Sequence, residues 1–228
     1  MTLPPVEPGC HRIRLAIIGA GELGRQVAHH AQAIPGYVVI GFFDDTCMVG
    51  NLLHGLPLLG ATTAVLERYG AGEFDQLVIA IGYRHMDARH AMYERFKGKL
   101  PFGALIHPSA TIDRDAKIGD GAIIYPGCVV DTGAKIGANT LLNIGCIVAH
   151  DTSVGDSCFI APGVNIAGFV SIGRSVQLGI GTVVIDNVLI APGVTTGAGA
   201  VVTRDLNEAG VYIGIPARMH RTREGKKS

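Results

Sequence analysis

The sequence contains no tryptophan and only seven phenylalanines and six tyrosines, which argues against a broad interior filled by large rings and for a narrow one. It carries no excess of charge. Nineteen Lys and Arg balance 19 Asp and Glu, so net charge recruits neither nucleic acid nor an anionic membrane surface. No apolar run approaches the roughly 20 residues needed to cross a bilayer. The stretch from Met1 to His11 lacks the basic-then-apolar order of a secretory signal, and a cytoplasmic enzyme is the expectation. Cysteine is scarce and unpatterned: Cys10, Cys47, Cys128, Cys146 and Cys158 are odd in number and include no CxxC pair, which signals neither a disulfide framework nor a zinc site. What the chain has in quantity is glycine, 32 residues of 228, the composition of many tight turns.

The turns are organised by an internal period. Every sixth residue from Ile106 to Val202 is aliphatic except Thr196, and the residue two places before each is small or β-branched, from Ala104 through Cys128, Cys146 and Cys158 to Ala200. Two such columns in constant phase describe inward-facing positions of short strands joined by corners. Glycines at 119, 137, 155 and 173 follow the aliphatic column, and are expected to supply a backbone conformation other residues avoid. Three hexads per turn would set residue i beneath residue i+18, with coils about 4.8 Å apart, giving a triangular prism of about five coils. The three cysteines of the small column are then core filler rather than nucleophiles.

Before the repeat, IRLAII (13–18) reads as a buried strand running into GAGELG and then the helix-compatible RQVAHHAQAI. Gly19, Gly21 and Gly24 supply a G-x-G-x-x-G turn, which lets a phosphate approach N–H groups at a helix start. The strand YVVIGFF ends at Asp44 and Asp45, where a carboxylate could hold a ribose hydroxyl. LPLLG and QLVIAIG add further strands, and Gly82, Tyr83 and Arg84 would close the same pocket at a strand's carboxyl end. The glycines also suit plain strand–helix packing. With about 100 residues before the repeat there is no room for two mononucleotide halves, so a single nucleotide fits better than NAD. The organisation expected is an α/β, Rossmann-like nucleotide-binding domain over 1–103, a parallel β-helix over 104–217, and a basic, solvated tail over 218–228.

Of nine histidines, only His150 falls between Pro108 and Met219. It follows inward Val148 by two residues, placing it at a face or corner, with Asp151 next to it and Gly168 eighteen residues on. An imidazole oriented by a carboxylate can take a proton from an attacking amine or hydroxyl, and a glycine N–H nearby can donate to an oxygen gaining charge. Asn143, seven residues earlier, is a candidate substrate anchor. The residues alone also fit a solvated surface histidine, as most single histidines are. One histidine is too few for the ligand set of a β-helix zinc enzyme, and no metal is expected.

The segments LLNIGCIVAHDTSVGD, IAPGVNIAGFVSIG and YIGIPAR, with IIGAGELG, FFDD, AIG and LIHPSATI, resemble the hexapeptide-repeat, left-handed β-helix sugar acetyltransferases. The likeness is to bacterial enzymes acting on nucleotide-linked 4-amino-4,6-dideoxy sugars in surface-glycan biosynthesis, and to sialic acid O-acetyltransferases. The resemblance implies a left-handed coil, against the usual right-handed crossover, and a homotrimer with acetyl-CoA bound between subunits. It implies His150 as base, Asp151 as its acidic partner and Asn143 near the sugar amine. Gly168, Ile180 and Ala198 would meet the acyl-CoA, and Gly21, Glu22, Leu23, Asp44, Asp45 and Gly82 would line the nucleotide-sugar pocket. Two positions depart from the family pattern, Leu23 in the glycine turn and Phe159 nine residues after the base, where histidine is usual. Phe159 is therefore expected to alter the contact with acyl-CoA. O-acetylation of a sugar and a non-catalytic, nucleotide-binding trimeric scaffold are the alternative functions.

Overall fold

The structure is a computed structural model and describes residues 12–46 and 52–222. Cys10, Cys47 and the last six residues of the expected tail lie outside these. The chain divides into two compact units, one ending at Pro108 and the other beginning at Ser109, five residues beyond the boundary expected from the repeat.

In the first unit, β1 (Ile13–Ile18) is the central strand, with Leu15, Ala16 and Ile17 fully buried. It pairs in parallel with β2 (Tyr37–Phe43) on one side and β5 (Gln76–Ile79) on the other. A strand buried on both faces needs a continuous apolar run, which IRLAII supplies. Beyond β2 lies β4 (Leu56–Gly60), parallel to β2, and at the edge the two-residue β3 (Leu52–Leu53) runs antiparallel to β4. The edge is therefore a hairpin rather than a further parallel strand. Helix α1 (Glu22–Ala31) buries Gly24, Val27, Ala28 and Ala31, the i, i+3, i+4, i+7 stripe of a helix packed on a sheet. Helices α2 (Val65–Gly70) and α3 (Met86–Phe96) complete the unit. The chain leaves β1 toward β2 and returns to β5 on its other side, so the carboxyl ends of β1 and β5 form the switch point where such sheets bind ligands.

In the second unit each rung is a two-residue strand, and each pairs in parallel with the strand 18 residues away: Val129 with Thr111 and Ile147, Lys135 with Lys117 and Ser153, Leu141 with Ile123 and Phe159. Three stacks result. We call the stack that contains Thr111–Ile112 the first face, that with Lys117–Ile118 the second, and that with Ile123–Ile124 the third. Both inward columns are buried from Ala122 onward, with Cys128, Thr140, Cys146, Thr152 and Cys158 fully enclosed. The buried threonines are satisfied by the next coil, as in the Thr152 hydroxyl donating to Ala167 O at 2.7 Å, which a buried hydroxyl requires.

The glycines after the aliphatic column do a different job from the one expected. Gly119, Gly137, Gly155 and Gly173 do not adopt the left-handed conformation. A Cβ built on Gly137 would lie 2.4 Å from the carbonyl carbon of Gly155, so these residues let one turn rest on the backbone of the next. The left-handed corner is a separate column, 121, 127, 133 and onward to 199. Eight of its members are glycine, while Asn139, Asp151, Ser157, Phe169, Ser175 and Asn187 hold φ between 54° and 59°.

The expected tail begins as structure. Arg218–Thr222 is a strand, antiparallel to Gly210–Ile213, which itself extends the third face beside Thr195–Thr196. Its side chains are exposed while its backbone is paired, covering the last edge of that sheet.

Candidate active site

The site residues of the first unit gather at the switch point. Gly19 ends β1 at φ 100°, and a Cβ there would meet Ala80 O at 2.8 Å. Gly21 caps α1, and a Cβ on Gly24 would lie 2.0 Å from Gly19 O, the close strand–helix approach that the third glycine of the fingerprint permits. Asp44 accepts a hydrogen bond from Ala20 N at 2.8 Å and others from Thr46, tying the end of β2 to the turn. Asp45 is turned elsewhere: both its oxygens are taken by Thr62, from the backbone N–H at 2.7 Å and the hydroxyl at 2.9 Å. Glu22 is exposed and paired with Arg25 at 3.0 Å, Leu23 is half-buried, and Gly82 starts the turn after β5 with open space at its Cα.

Two residues here escaped the sequence reading. His54 sits in the β3–β4 hairpin at φ 54° with Nε2 3.1 Å from Ala20 O, against the glycine turn itself. Arg89 on α3 is fully buried and donates to Ile79 O at 2.7 Å and Ile81 O at 3.2 Å, fixing the backbone on which Gly19 rests. Neither belongs to a recognisable motif, since a lone Arg in a helix reads as a solvated residue.

In the second unit, His150 lies at the corner between the first and second faces, its side chain 45% exposed. Its Nδ1 is 3.2 Å from Asp151 Oδ2, and Asp151 occupies the left-handed corner at φ 56°. The coil above and the coil below are both cleared for this pair. A Cβ on Gly168 would lie 2.6 Å from the imidazole Cε1 and 2.7 Å from Nε2, and one on Gly133 would lie 2.6 Å from Asp151 Oδ1. The stacking that places Gly168 above His150 is explicit in the bond from Phe169 N to His150 O, 3.2 Å. The Phe169 ring stands edge-on to the imidazole, 5.0 Å between centroids at 86°. Nδ1 faces the carboxylate, and among the described residues Nε2 has no hydrogen-bond partner.

Asn143, Ile180 and Ala198 lie at a different corner, between the third and first faces, each just past a third-face strand. Ile180 is 61% exposed and its carbonyl accepts from Gly199 N at 2.8 Å. Asn143 Oδ1 is held by the Ile144 N–H at 2.8 Å. Within one chain the first face separates these residues from His150. Phe159, on the outer side of the third face, is only 7% exposed. The three cysteines are free thiols and fully buried. The hydrogen bond with Cys128 and burial push the Cys146 thiol far up, and none of the three sulfurs is open to a substrate. No group of His, Cys, Asp and Glu suited to a metal ion occurs among the described residues.

Comparison with known proteins places this geometry. Residues 14–96 match the PglD N-terminal domain, and residues 133–168 match the bacterial transferase hexapeptide family of six repeats. The acetyltransferase domain of PglB from Neisseria gonorrhoeae FA1090, in complex with acetyl coenzyme A, is 31% identical over 91% of this chain and 99% of its own, with a TM-score of 0.83. The chain belongs to the PglD-type hexapeptide-repeat acetyltransferases. PerB from Caulobacter crescentus, in complex with CoA and GDP-perosamine, is 31% identical over 90% of this chain and 96% of its own, with a TM-score of 0.80. WeeI from Acinetobacter baumannii AYE, at 24% identity and a TM-score of 0.71, shares the fold. A comparison with curated protein sequences finds no match. As a member of this family the protein is an acyltransferase, built from an α/β domain followed by a left-handed parallel β-helix. Among the described residues no helix is long and apolar enough to cross a membrane.

Proposed function

We propose that the protein transfers acetyl from acetyl-CoA to the C4 amine of a nucleotide-linked 4-amino-4,6-dideoxy sugar, with His150 as the general base. The observation that carries this reading is the His150 environment: an imidazole oriented through Nδ1 by Asp151, with Nε2 open and stacked coils stripped to glycine around it. In the reaction the amine nitrogen bonds to the thioester carbonyl carbon, its proton passes to His150 Nε2, and the C–S bond breaks to release CoA. The Gly168 N–H donates to the carbonyl oxygen as charge builds there. Direct transfer is favoured over an acyl-enzyme because the coil cysteines are fully buried, out of reach of a thioester.

The sugar nucleotide belongs at the switch point of the first unit, with Gly21, Glu22, Leu23, Asp44 and Gly82 lining it. Asp45, spent on Thr62, would act there by holding the strand end in place rather than by meeting the ligand. Acetyl-CoA and GDP-perosamine accompany the similar structures named above, which supports the co-substrate and the class of acceptor.

A homotrimer fits the separation of the two corners, because a neighbouring copy can bring its Asn143, Ile180 and Ala198 to this copy's His150. The outer side of the first face, which lies between those corners, carries exposed Val129, Ile147 and Val183. The second face shows Lys117, Lys135, Ser153 and Ser171. Apolar exposure concentrated on the first face, against the single exposed Leu189 among the strands of the second, is what a buried subunit contact leaves on a single chain.

The test is His150→Ala. It should bind CoA as the parent does, by calorimetry, and lose about 10² to 10⁴ in turnover, the usual worth of a positioned base. Near-normal turnover would remove His150 from the role, and a panel of amino and hydroxyl sugars on which only the hydroxyl acceptors react would overturn the N-acyl assignment.

A further inference from the structure

The left-handed corner column admits glycine at no cost and Asn, Asp or Ser at little, because a short polar side chain tolerates that backbone. Phe169 is the exception. It holds φ 57°, where a bulky side chain is an outlier that persists only when surroundings hold it there. Core packing does not hold it, since the residue is 57% exposed, and a half-exposed ring gains little from burial. What the ring does touch is His150, edge-on at 5.0 Å. An unfavourable backbone and an uncovered aromatic, together at the corner position above Asp151 and beside the imidazole, are features that fold stability alone would have selected against.

We propose that Phe169 is a positioning residue for His150, and this rests on the reading of His150 as base. Three contacts then define the imidazole. Asp151 fixes the Nδ1 side, Gly168 allows the ring to lie flat against the coil above, and Phe169 closes the remaining direction, so that rotation about χ1 and χ2 is stopped with Nε2 outward. The contact with Asp151 alone, 3.2 Å long with both side chains about half exposed, is an exposed polar contact that competes with water and restrains little. The aromatic edge supplies what it lacks, since perpendicular ring pairs have a preferred geometry. A base whose ring wanders by an ångström loses the near-attack arrangement on which its effect depends.

The proposal separates activity from stability in an unusual direction. Phe169→Gly and Phe169→Asn remove the ring while suiting the backbone better, so both should melt at the parent's temperature or above it. Their kcat should fall about ten-fold with KM for acetyl-CoA unchanged within about two-fold, as expected when a transition-state contact is loosened and ground-state binding is not. Phe169→Tyr keeps the ring and should restore kcat to near the parent value. A decrease in Phe169→Tyr as large as that in Phe169→Asn would show that the ring contact is irrelevant and would sink the proposal. So would parent-like kcat in both the Gly and Asn variants while His150→Ala is inactive, an outcome that leaves the base reading intact. Parent-like turnover in His150→Ala would instead bring down the base and the positioning role together.

Discussion

The two units of this chain bury apolar residues by opposite means. In the α/β unit the central strand meets partners from distant stretches, Ile13 opposite Tyr37 and Leu15 opposite Gln76, and each residue's surroundings are particular to it. From Thr111 to Val202 every strand of the coil meets the strand eighteen residues away, so a residue's environment follows from its phase in the hexad. The α/β unit therefore places a few polar groups individually around one switch point, while the coil offers a uniform rod on which a site arises only where the pattern is broken. His150, Asp151, Gly168 and Phe169 mark such a break, and the proposed site is there.

The contrast is sharpest for one substitution made in both units. Gly137→Ala in the coil would push a Cβ to 2.4 Å from the Gly155 carbonyl carbon. Neither turn can move without disturbing its stack, and a loss of about 3 kcal/mol is expected on the scale of overpacked interiors. Gly70→Ala, at the end of α2 with nothing within 4 Å of the new methyl, should be neutral or stabilise by about 0.5 kcal/mol. Chemical denaturation of the two variants checks both signs. Equal effects would mean that the coil is looser than its stacking implies.

A smaller effect on stability with a large one on chemistry is expected for Gly168→Ala. The new methyl meets the imidazole rather than backbone, and a side chain can turn away. The melting temperature should stay within about two degrees, while turnover falls about ten-fold or more because the ring leaves Asp151. Steady-state kinetics beside a thermal melt reads both. A normal rate would mean that the ring keeps its place despite the methyl.

The smallest effect concerns pH and belongs to the first unit. His30 and His107 stand edge-on at 5.7 Å, with His29 5.3 Å from His30, and burial pushes the imidazoles of His30 and His107 below their ordinary value, helped by neighbouring histidine charge. The unfolded chain then binds more protons than the folded one near and below pH 6.5, so stability falls as pH drops through that value and is unaffected above it. Unfolding midpoints at pH 7.5 and 5.5 should differ less in His30→Gln than in the parent. An unchanged difference would place the acid sensitivity elsewhere.

The coil was legible almost residue by residue. Its two inward columns, the burial of Cys128, Cys146 and Cys158, and the position of Gly168 over His150 all follow from a six-residue phase and an eighteen-residue stack. The role given to Gly119, Gly137, Gly155 and Gly173 was misread because period marks where a glycine recurs and not why. Close approach and left-handed φ leave the same letter in a sequence. In the α/β unit the position of the glycine turn and of Asp44 at the strand ends was readable from a motif, whereas the places of His54 and Arg89 were not, since their partners are backbone carbonyls that no side-chain pattern reveals.

What the sequence by itself determined is the register: a covalent repeat matched to the spacing of stacked strands leaves one arrangement in which both the aliphatic and the small columns point inward. The tertiary structure alone decided the contacts that lie off the repeat. Asp45 is bound by Thr62, Phe159 is enclosed rather than presented, Asn143 and His150 fall at different corners of one chain, and Phe169 meets the imidazole. Pairing of backbone groups is dictated by chain spacing, but the meeting of two side chains depends on rotamers and on what neighbouring coils leave open. At His150 that opening is made by Gly133 below and Gly168 above.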